Sequence, residues 1–209
     1  MDRRRFVNQS IGALCLASTS IGGILACENS IASPPLTKKS LKWWMIKEDI
    51  SVLEKFRLIK ELGFDGVELD SPDDVDITEV MNAMEDTGLK IPGLVNSIHW
   101  KKPFSHPDPN IRQECAEAMK DAFALCSKLG GDTVLLVPAV VNKETSYDDA
   151  WKRSSEEIRK LLPFAEQHGV KIAIENVWNN FLLSPLEAQQ YIDQFQSCLL
   201  YTSPSPRDS

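Results

Sequence analysis

The chain has 209 residues, 43% of them hydrophobic and 25% charged, which is the composition of a globular protein with one substantial core. Its formal net charge is -7 and it has no basic stripe, so it is poorly suited to bind nucleic acid and better suited to a small-molecule substrate. Three histidines are too few for a histidine-rich multi-zinc site.

Residues 1–27 have the pattern of an export signal. Residues 3–7 (RRRFV) resemble the twin-arginine motif, and the mild apolar run 11–26 that follows is too short for a transmembrane helix. Residues 24–27 (ILAC) resemble a lipobox, so lipidation of Cys27 and ordinary cleavage both stay open, with a disordered cytoplasmic leader as the alternative. We expect an exported protein that is either periplasmic or a membrane-anchored lipoprotein.

A polar linker, residues 28–39, leads into short apolar runs that alternate with amphipathic helical stretches. Ser51 and Glu54 form a capping-box pattern that opens the first helix, and Gly63 ends it. Pro185 occupies the first position of the last helix, where its missing N–H is tolerated. The predicted strands are 41–46, 64–69, 90–96, 133–137 and 171–174, and the predicted helices are 51–62, 77–86, 111–129, 148–167 and 184–195.

Five β-α units in strict alternation predict an α/β protein with a parallel sheet. One architecture is a complete doubly wound sheet of the flavodoxin type, and the other is an incomplete (β/α)8 TIM barrel. No GxGxxG or Walker A loop follows any predicted strand, which disfavours a sheet that binds a nucleotide or a flavin. A complete barrel needs about 250 residues, so residues 40–196 would form a partial barrel with five of its eight units.

Residues 197–209 interrupt this alternation. Their final letters, SPSPRDS, have no apolar period and resemble translated vector or adapter sequence. We therefore expect a non-native tail in place of the turn and the sixth strand. On this interpretation the native protein continues past residue 196, and the present chain lacks its last third.

Functional residues of parallel α/β folds collect at the carboxyl ends of the strands. Glu175 is the strongest candidate, because the apolar run 171–174 delivers a carboxylate to that edge, although a solvated strand end would have the same pattern. For Glu68, substrate contact and a structural ion pair with a nearby lysine both stay open. For His99, in a polar loop, we expect substrate contact.

Aromatic and amide side chains at the same edge complete the predicted substrate site. They are Trp43, Trp100, Trp178 and Asn176. The tryptophans would wall a pocket, since aromatic faces stack on the C–H surfaces of sugars. Trp44 is expected in the core, because neighbouring strand residues face opposite ways.

Four short segments resemble the motifs of one family in order and spacing: residues 43–44 (WW), 63–69 (GFDGVEL), 97–100 (SIHW) and 172–176 (IAIEN). With them, the chain from residue 40 to residue 196 resembles the sugar phosphate isomerase/epimerase family, also called xylose isomerase-like, whose fold is a TIM barrel. The resemblance implies that Glu175 binds a divalent metal and acts as one of two acid/base carboxylates. Mn2+ is the expected metal, with Mg2+, Co2+ or Zn2+ as alternatives.

The resemblance implies a sugar, or sugar phosphate, isomerase or epimerase that works through an enediolate. The other metal ligands of that family are an Asp, a His or Gln, and a Glu on the sixth, seventh and eighth strands, and they have no position in residues 40–196. We therefore expect this chain to be inactive or nearly so. Two alternatives stay open: a non-catalytic exported binding domain of the same fold, and an endonuclease IV-like metal phosphodiesterase, which the acidic balance disfavours.

Overall fold

The computed structural model describes residues 38–202, so the predicted export signal, most of the predicted linker and residues 203–209 lie outside the described range. The strands are β1 (Ser40–Lys42), β2 (Gly66–Ser71), β3 (Gly93–Asn96), β4 (Thr133–Leu136), β5 (Lys171–Ile174) and β6 (Leu200–Thr202). The helices are α1 (Val52–Glu61), α2 (Ile77–Thr87), α3 (Pro109–Lys128), α4 (Tyr147–His168) and α5 (Pro185–Asp193). A short 3-10 helix, Trp43–Met45, follows β1.

All six strands are parallel and stand in chain order, β1 to β6, in one sheet. Sequential parallel strands joined by right-handed crossovers place every helix on the same side of the sheet. This is the arrangement of a TIM barrel, so the predicted α/β fold, a partial barrel, is confirmed. The doubly wound alternative is wrong, because its strand order reverses at a switch point.

The two faces of the sheet differ in chemistry. Residues on the outer face pack in the core with the helices and are at most 2% exposed; on β2, β4 and β5 they are Val67, Leu69, Val134, Leu136, Ile172 and Ile174. Their neighbours point to the opposite face, called the inner face below, because side chains alternate along a strand. This inner face carries Ser40 and Lys42 of β1 and Glu68 and Asp70 of β2.

Local signals set the helix boundaries. The Ser51 hydroxyl accepts the Glu54 N–H and the Glu54 carboxylate accepts the Ser51 N–H, which confirms the predicted capping box. Helices α2 and α4 end at Gly88 and Gly169, whose φ angles of 71° and 65° are left-handed and favour glycine. Within residues 38–202, no helix has both the length and the hydropathy needed to cross a membrane.

The first strand is shorter than predicted. It ends at Lys42 and the chain turns into the 3-10 helix, so the alternation expected over residues 41–46 stops there. Trp43 is 9% exposed and its ring centroid lies 5.9 Å from that of Phe56 in α1, whereas Trp44 is 52% exposed. The prediction of a buried Trp44 is wrong, and Trp43 is a core residue rather than an open pocket wall.

A sixth strand is present where none was predicted. β6 pairs with β5, and the Ile172 N–H donates to the Leu199 carbonyl at 2.7 Å. Leu200 is 3% exposed in the core, and Tyr201 Oη lies 3.3 Å from Thr133 Oγ1 of β4. The expectation that residues 197–209 replace the sixth strand is therefore wrong for residues 200–202, where a buried leucine and ladder hydrogen bonds stabilise a strand of only three residues.

Candidate active site

Glu175 is positioned by the end of β5. Its N–H donates to the Leu136 carbonyl at 3.0 Å, which extends the β4–β5 ladder by one residue. The residue is partly buried, and burial raises the pKa of its carboxyl; the Lys42 ammonium opposes this rise and the Glu68 carboxylate adds to it. A carboxyl with a raised pKa is better matched to proton transfer near neutral pH.

His99 is buried, with 4% of its surface exposed, in the loop after β3. Its Nδ1 accepts a hydrogen bond from the Val137 N–H at 3.3 Å, so the proton of the neutral ring resides on Nε2. Burial, with a smaller contribution from the Lys42 charge, lowers the pKa of His99 to about 4. The imidazole is therefore uncharged at neutral pH and can donate one hydrogen bond from Nε2.

One peptide group at the end of β4 holds both residues. The Leu136 carbonyl accepts the Glu175 N–H, and the Val137 N–H of the same peptide donates to His99. Because the C=O and N–H of a trans peptide point in opposite directions, Glu175 and His99 lie on the two sides of β4. This contribution of β4 could not be predicted from the sequence, because backbone atoms make it and no side-chain pattern marks it.

Two polar pairs join β1 to β2 on the inner face. Ser40 Oγ donates to Glu68 Oε1 at 2.6 Å, and Lys42 Nζ donates to Asp70 Oδ1 at 2.8 Å. Of the two alternatives for Glu68, the structural ion pair with a nearby lysine is wrong, because Lys42 pairs with Asp70 instead. Lys42 itself was missed. The sequence pattern that could have indicated Lys42 is a polar residue at every second position of β1 and β2, which the register places side by side.

The remaining predicted residues lie at the rim. Trp100 is 43% exposed and its ring centroid lies 5.5 Å from that of His99, edge to face. Trp178 is 89% exposed, so it encloses no pocket in this structure. The Asn176 side-chain amide donates to the Leu182 carbonyl, which closes the loop after β5 on itself.

Asn179 anchors the loop after β5 and was not predicted. It is fully buried, its Nδ2 donates to the Ala139 carbonyl at 2.9 Å, and its Oδ1 accepts the Val177 N–H at 3.2 Å. Its own carbonyl accepts the Val141 N–H at 2.9 Å. These bonds tie the loop that follows Glu175 to the loop that follows β4. The Asn179-Asn180 dipeptide indicates only a turn, so this anchor could not be predicted from the residues alone.

The described residues do not complete a metal site. Within residues 38–202, no three His, Cys, Asp or Glu side chains converge so as to hold a metal ion. Glu175 offers one hard oxygen ligand, while Glu68 accepts the Ser40 hydroxyl and Asp70 accepts the Lys42 ammonium. One available carboxylate is not a ligand set for a divalent cation.

A groove of about 530 Å³ lies away from these residues, between the end of β2 and helix α3. Ser71 and Pro72 line one side of it, and Glu114, Glu117 and Asp121 line the other. None of Glu175, His99, Lys42 and Glu68 contributes to this groove. The carboxyl edge of the sheet, where the side chains with shifted pKa values lie, is therefore the better candidate site.

The chain is similar to sugar epimerases in sequence and in fold. It is 26% identical over 135 residues to L-ribulose-5-phosphate 3-epimerase UlaE of Escherichia coli strain SE11, covering 59% of this chain and 47% of that protein. The chain spans about half the length of the curated relatives it matches. The 3-keto-D-glucoside 4-epimerase YcjR of E. coli has a TM-score of 0.67 at 22% identity, covering 79% of this chain and 67% of that chain.

The IOLI protein, crystallised with a bound zinc atom, gives a TM-score of 0.62 at 20% identity, covering 79% of this chain and 62% of that chain. At such identities the likeness to solved structures concerns the fold alone. A family model, the xylose isomerase-like TIM barrel, matches residues 56–200, from helix α1 to the start of β6. The chain therefore belongs to the xylose isomerase-like TIM barrel family.

Proposed function

We propose that the whole protein is a sugar epimerase or isomerase that acts on a ketose or a ketose phosphate, with Glu175 as a carboxylate that transfers the substrate proton. The placement of Glu175 carries this proposal: the side chain is partly buried at the carboxyl end of β5, within electrostatic reach of Lys42 and Glu68. The family and the epimerase activities named for UlaE and YcjR support the same class of reaction.

The proposed chemistry begins with proton removal from the carbon beside the sugar carbonyl. Glu175 takes this proton, the C–H electron pair becomes a C=C bond, and the carbonyl π pair moves onto oxygen to give an enediolate. Return of a proton to the neighbouring carbon, with a proton passing from one enediol oxygen to the other, gives an isomer. Return of a proton to the same carbon from the opposite face, by a second acid, gives an epimer. Burial raises the pKa of Glu175, which makes its carboxylate a stronger proton acceptor.

The other candidate residues have supporting roles in this proposal. His99 and Trp100 contact the sugar, and the Trp100 ring offers an apolar face to its C–H groups. Glu68 acts on Glu175 through its charge. Trp43 supports β1 from the core, and Asn176 holds the loop from which the exposed Trp178 projects.

A divalent cation is the proposed cofactor, Mn2+ first and Mg2+, Co2+ or Zn2+ as alternatives. The zinc atom of the IOLI protein supports a divalent ion in this fold. When bound, such an ion polarises a sugar oxygen as a Lewis acid. Glu175 would be one ligand, and the other ligands would come from parts of the whole protein outside residues 38–202. Export to the periplasm, with or without a lipid on Cys27, is likewise a proposal.

A substrate panel tests the proposed activity on the whole native protein. Ketopentoses, ketohexoses and their phosphates are incubated with the protein and Mn2+, and NMR follows the appearance of an epimer or an isomer. We expect turnover of at least one sugar, loss of turnover in EDTA, and recovery when Mn2+ is restored. Sugar binding without turnover would support the non-catalytic binding domain instead, and cleavage of a phosphodiester would support the endonuclease IV-like alternative.

A further inference from the structure

Ser105, in the loop after β3, is buried and holds one residue of the neighbouring loop with its hydroxyl. Only 1% of its surface is exposed. Its Oγ donates to the Val140 carbonyl and accepts the Val140 N–H, both at 2.9 Å. One side chain thereby satisfies both backbone groups of Val140, as a neighbouring strand would. A residue of the β3 loop therefore fixes the path of residues 137–141, called the β4 segment below.

The residues on either side of Val140 bond in the opposite direction. The Ala139 carbonyl accepts from Asn179 Nδ2 at 2.9 Å, and the Val141 N–H donates to the Asn179 carbonyl at 2.9 Å. Ser105 and Asn179 thus hold alternate residues of the β4 segment, one from the loop after β3 and the other from the loop after β5. Because these residues are consecutive, a shift of Val140 moves both attachment points of Asn179.

Two arginines hold Ser105 in place. Arg153 of α4 donates to the Ser105 carbonyl at 3.1 Å. Arg112 of α3 donates to the carbonyls of the next two residues, at 2.8 Å and 3.0 Å. Arg112 is itself fixed by an ion pair of 3.2 Å with Glu157 of α4, in which the two side chains are 15% and 9% exposed. Ser105 therefore links the β4 segment to two helices of the outer layer.

The β4 segment also holds residues of the candidate site on both of its sides. At its start, the Val137 N–H donates to His99 Nδ1 at 3.3 Å. On the other side, Asn179 Oδ1 accepts the Val177 N–H at 3.2 Å, two residues after Glu175. His99 and the loop that follows Glu175 are therefore fastened to the same short segment, whose path is set from the loop after β3.

We infer that Ser105 is a positioning residue for the proposed reaction: through the β4 segment it fixes His99 on one side and the loop that follows Glu175 on the other. This inference rests on the proposed function and adds a residue that touches no substrate. A displacement of about 1 Å caused by a change far from the chemistry costs about a hundredfold in rate. Ser105→Ala leaves both backbone groups of Val140 without their partner, so the β4 segment should shift.

Amide hydrogen exchange of the full chain, followed by NMR, measures this coupling. In Ser105→Ala, the Val137 and Val177 N–H groups should exchange about tenfold faster, although neither of them bonds to Ser105. Ser105→Thr keeps the hydroxyl and should restore the wild-type rates. The Val67 N–H, which donates to the Lys90 carbonyl near the other edge of the sheet, should exchange at the wild-type rate in every variant.

Ser154 provides a matched control. It is another fully buried serine, and its Oγ donates to the Ala150 carbonyl at 2.6 Å and lies 2.7 Å from Tyr191 Oη of α5. Its hydrogen bonds join two helices and involve no residue of the β4 segment. Ser154→Ala removes bonds of the same kind and should leave exchange at Val137 and Val177 unchanged.

Proton exchange of the substrate separates a positioning role from a purely structural one. The whole protein is incubated with a saturating ketose in D2O, and NMR follows deuterium entering the sugar. We expect Ser105→Ala to slow this exchange about tenfold at saturation, because the loops of the site are displaced while the groups that touch the sugar remain. Ser105→Thr should restore the rate, and Ser154→Ala should match the wild type.

The outcomes separate this inference from the function on which it rests. Unchanged amide exchange at Val137 and Val177 in Ser105→Ala, or an equal acceleration in Ser154→Ala, overturns the inference and leaves the proposed function standing. Deuterium entry at the wild-type rate in Ser105→Ala also overturns it. A wild-type protein that exchanges no substrate proton contradicts the proposed function and the positioning role together. If Ser105→Ala does not fold, Arg153→Met replaces it, with Arg153→Lys as the conservative variant.

Discussion

His99 couples the stability of the fold to pH. Burial lowers its pKa to about 4, whereas a histidine in an unfolded chain titrates near 6.5. Between these values the unfolded state binds a proton that the folded state does not, so the free energy of unfolding falls as the pH is lowered. The contribution, about 3 kcal/mol, is present in full above pH 6.5 and is lost by about pH 4.

Urea denaturation at pH 7 and pH 4.5 measures this effect. The wild-type chain should lose more stability between these two conditions than His99→Asn, which cannot titrate there. The remaining carboxylates titrate in both proteins, so the difference between them isolates the imidazole. An NMR titration of the folded chain in which His99 has a midpoint near 6.5 would contradict its burial as a neutral ring.

Asn179 holds the loop after Glu175 with two side-chain hydrogen bonds. Asn179→Ala leaves the Ala139 carbonyl and the Val177 N–H without their partners, and we expect a loss of about 1–3 kcal/mol in the free energy of unfolding. Asn110→Ala, at an exposed position of α3, should change it by less than about 0.5 kcal/mol. Equal effects of the two substitutions in urea denaturation would show that Asn179 is no anchor.

Residues differ in how well the sequence predicts their position. Glu175 could be found because an apolar strand leads directly to it. Lys42 could not, since its ion pair depends on a strand register that brings Asp70 alongside. The exposure of Trp178 depends on the path of a loop, which no periodicity describes.

At the level of elements, β3 and β4 approach closely at Gly93. A β-carbon at this position would lie 2.7 Å from the Thr133 carbonyl oxygen of the paired strand. Because backbone cannot swing away as a flexible side chain can, Gly93→Ala should push the strands apart and cost about 1–3 kcal/mol. Urea denaturation measures the loss, and a variant as stable as the wild type would mean that the strands separate without strain.

The contribution of strand β6 to the sheet can be tested by hydrogen exchange. The Leu199 carbonyl accepts the Ile172 N–H at 2.7 Å, so a chain ending at residue 196 exposes this amide. Hydrogen exchange at Ile172 should accelerate in that chain, while the Val67 N–H, which donates to the Lys90 carbonyl at 2.8 Å near the other edge, stays protected. Unchanged exchange at Ile172 would mean that residues 200–202 contribute nothing to the sheet.

Elements with strong local signals were predictable, and those without were not. The capping box at Ser51 and the left-handed glycines after α2 and α4 set helix ends within a residue or two. The predicted start of the third strand was early, since Pro92 cannot donate to a ladder and β3 begins after it. β6 has only three residues, and its pairing with β5, rather than its composition, makes it a strand.

For the whole molecule, the parallel sheet is what assembles the site. Lys42, His99 and Glu175 lie far apart in sequence, and they stand at the same edge of the sheet because β1, β3 and β5 all end there. Helices and core occupy the outer face, which leaves the inner face free to carry polar side chains. Membership of the family accounts for the fold, whereas the proposal of proton transfer rests on the residues at this edge.

The most direct test of that argument is exchange of the substrate proton with solvent. The whole protein is incubated with a ketose in D2O, and NMR follows deuterium entering the carbon beside the carbonyl, which reports proton removal even without net turnover. We predict exchange with the wild-type protein and with Glu166→Gln, an exposed carboxylate of α4, and a decrease of about a thousandfold with Glu175→Gln. Exchange by Glu175→Gln at the wild-type rate would contradict the assignment of Glu175 as the base.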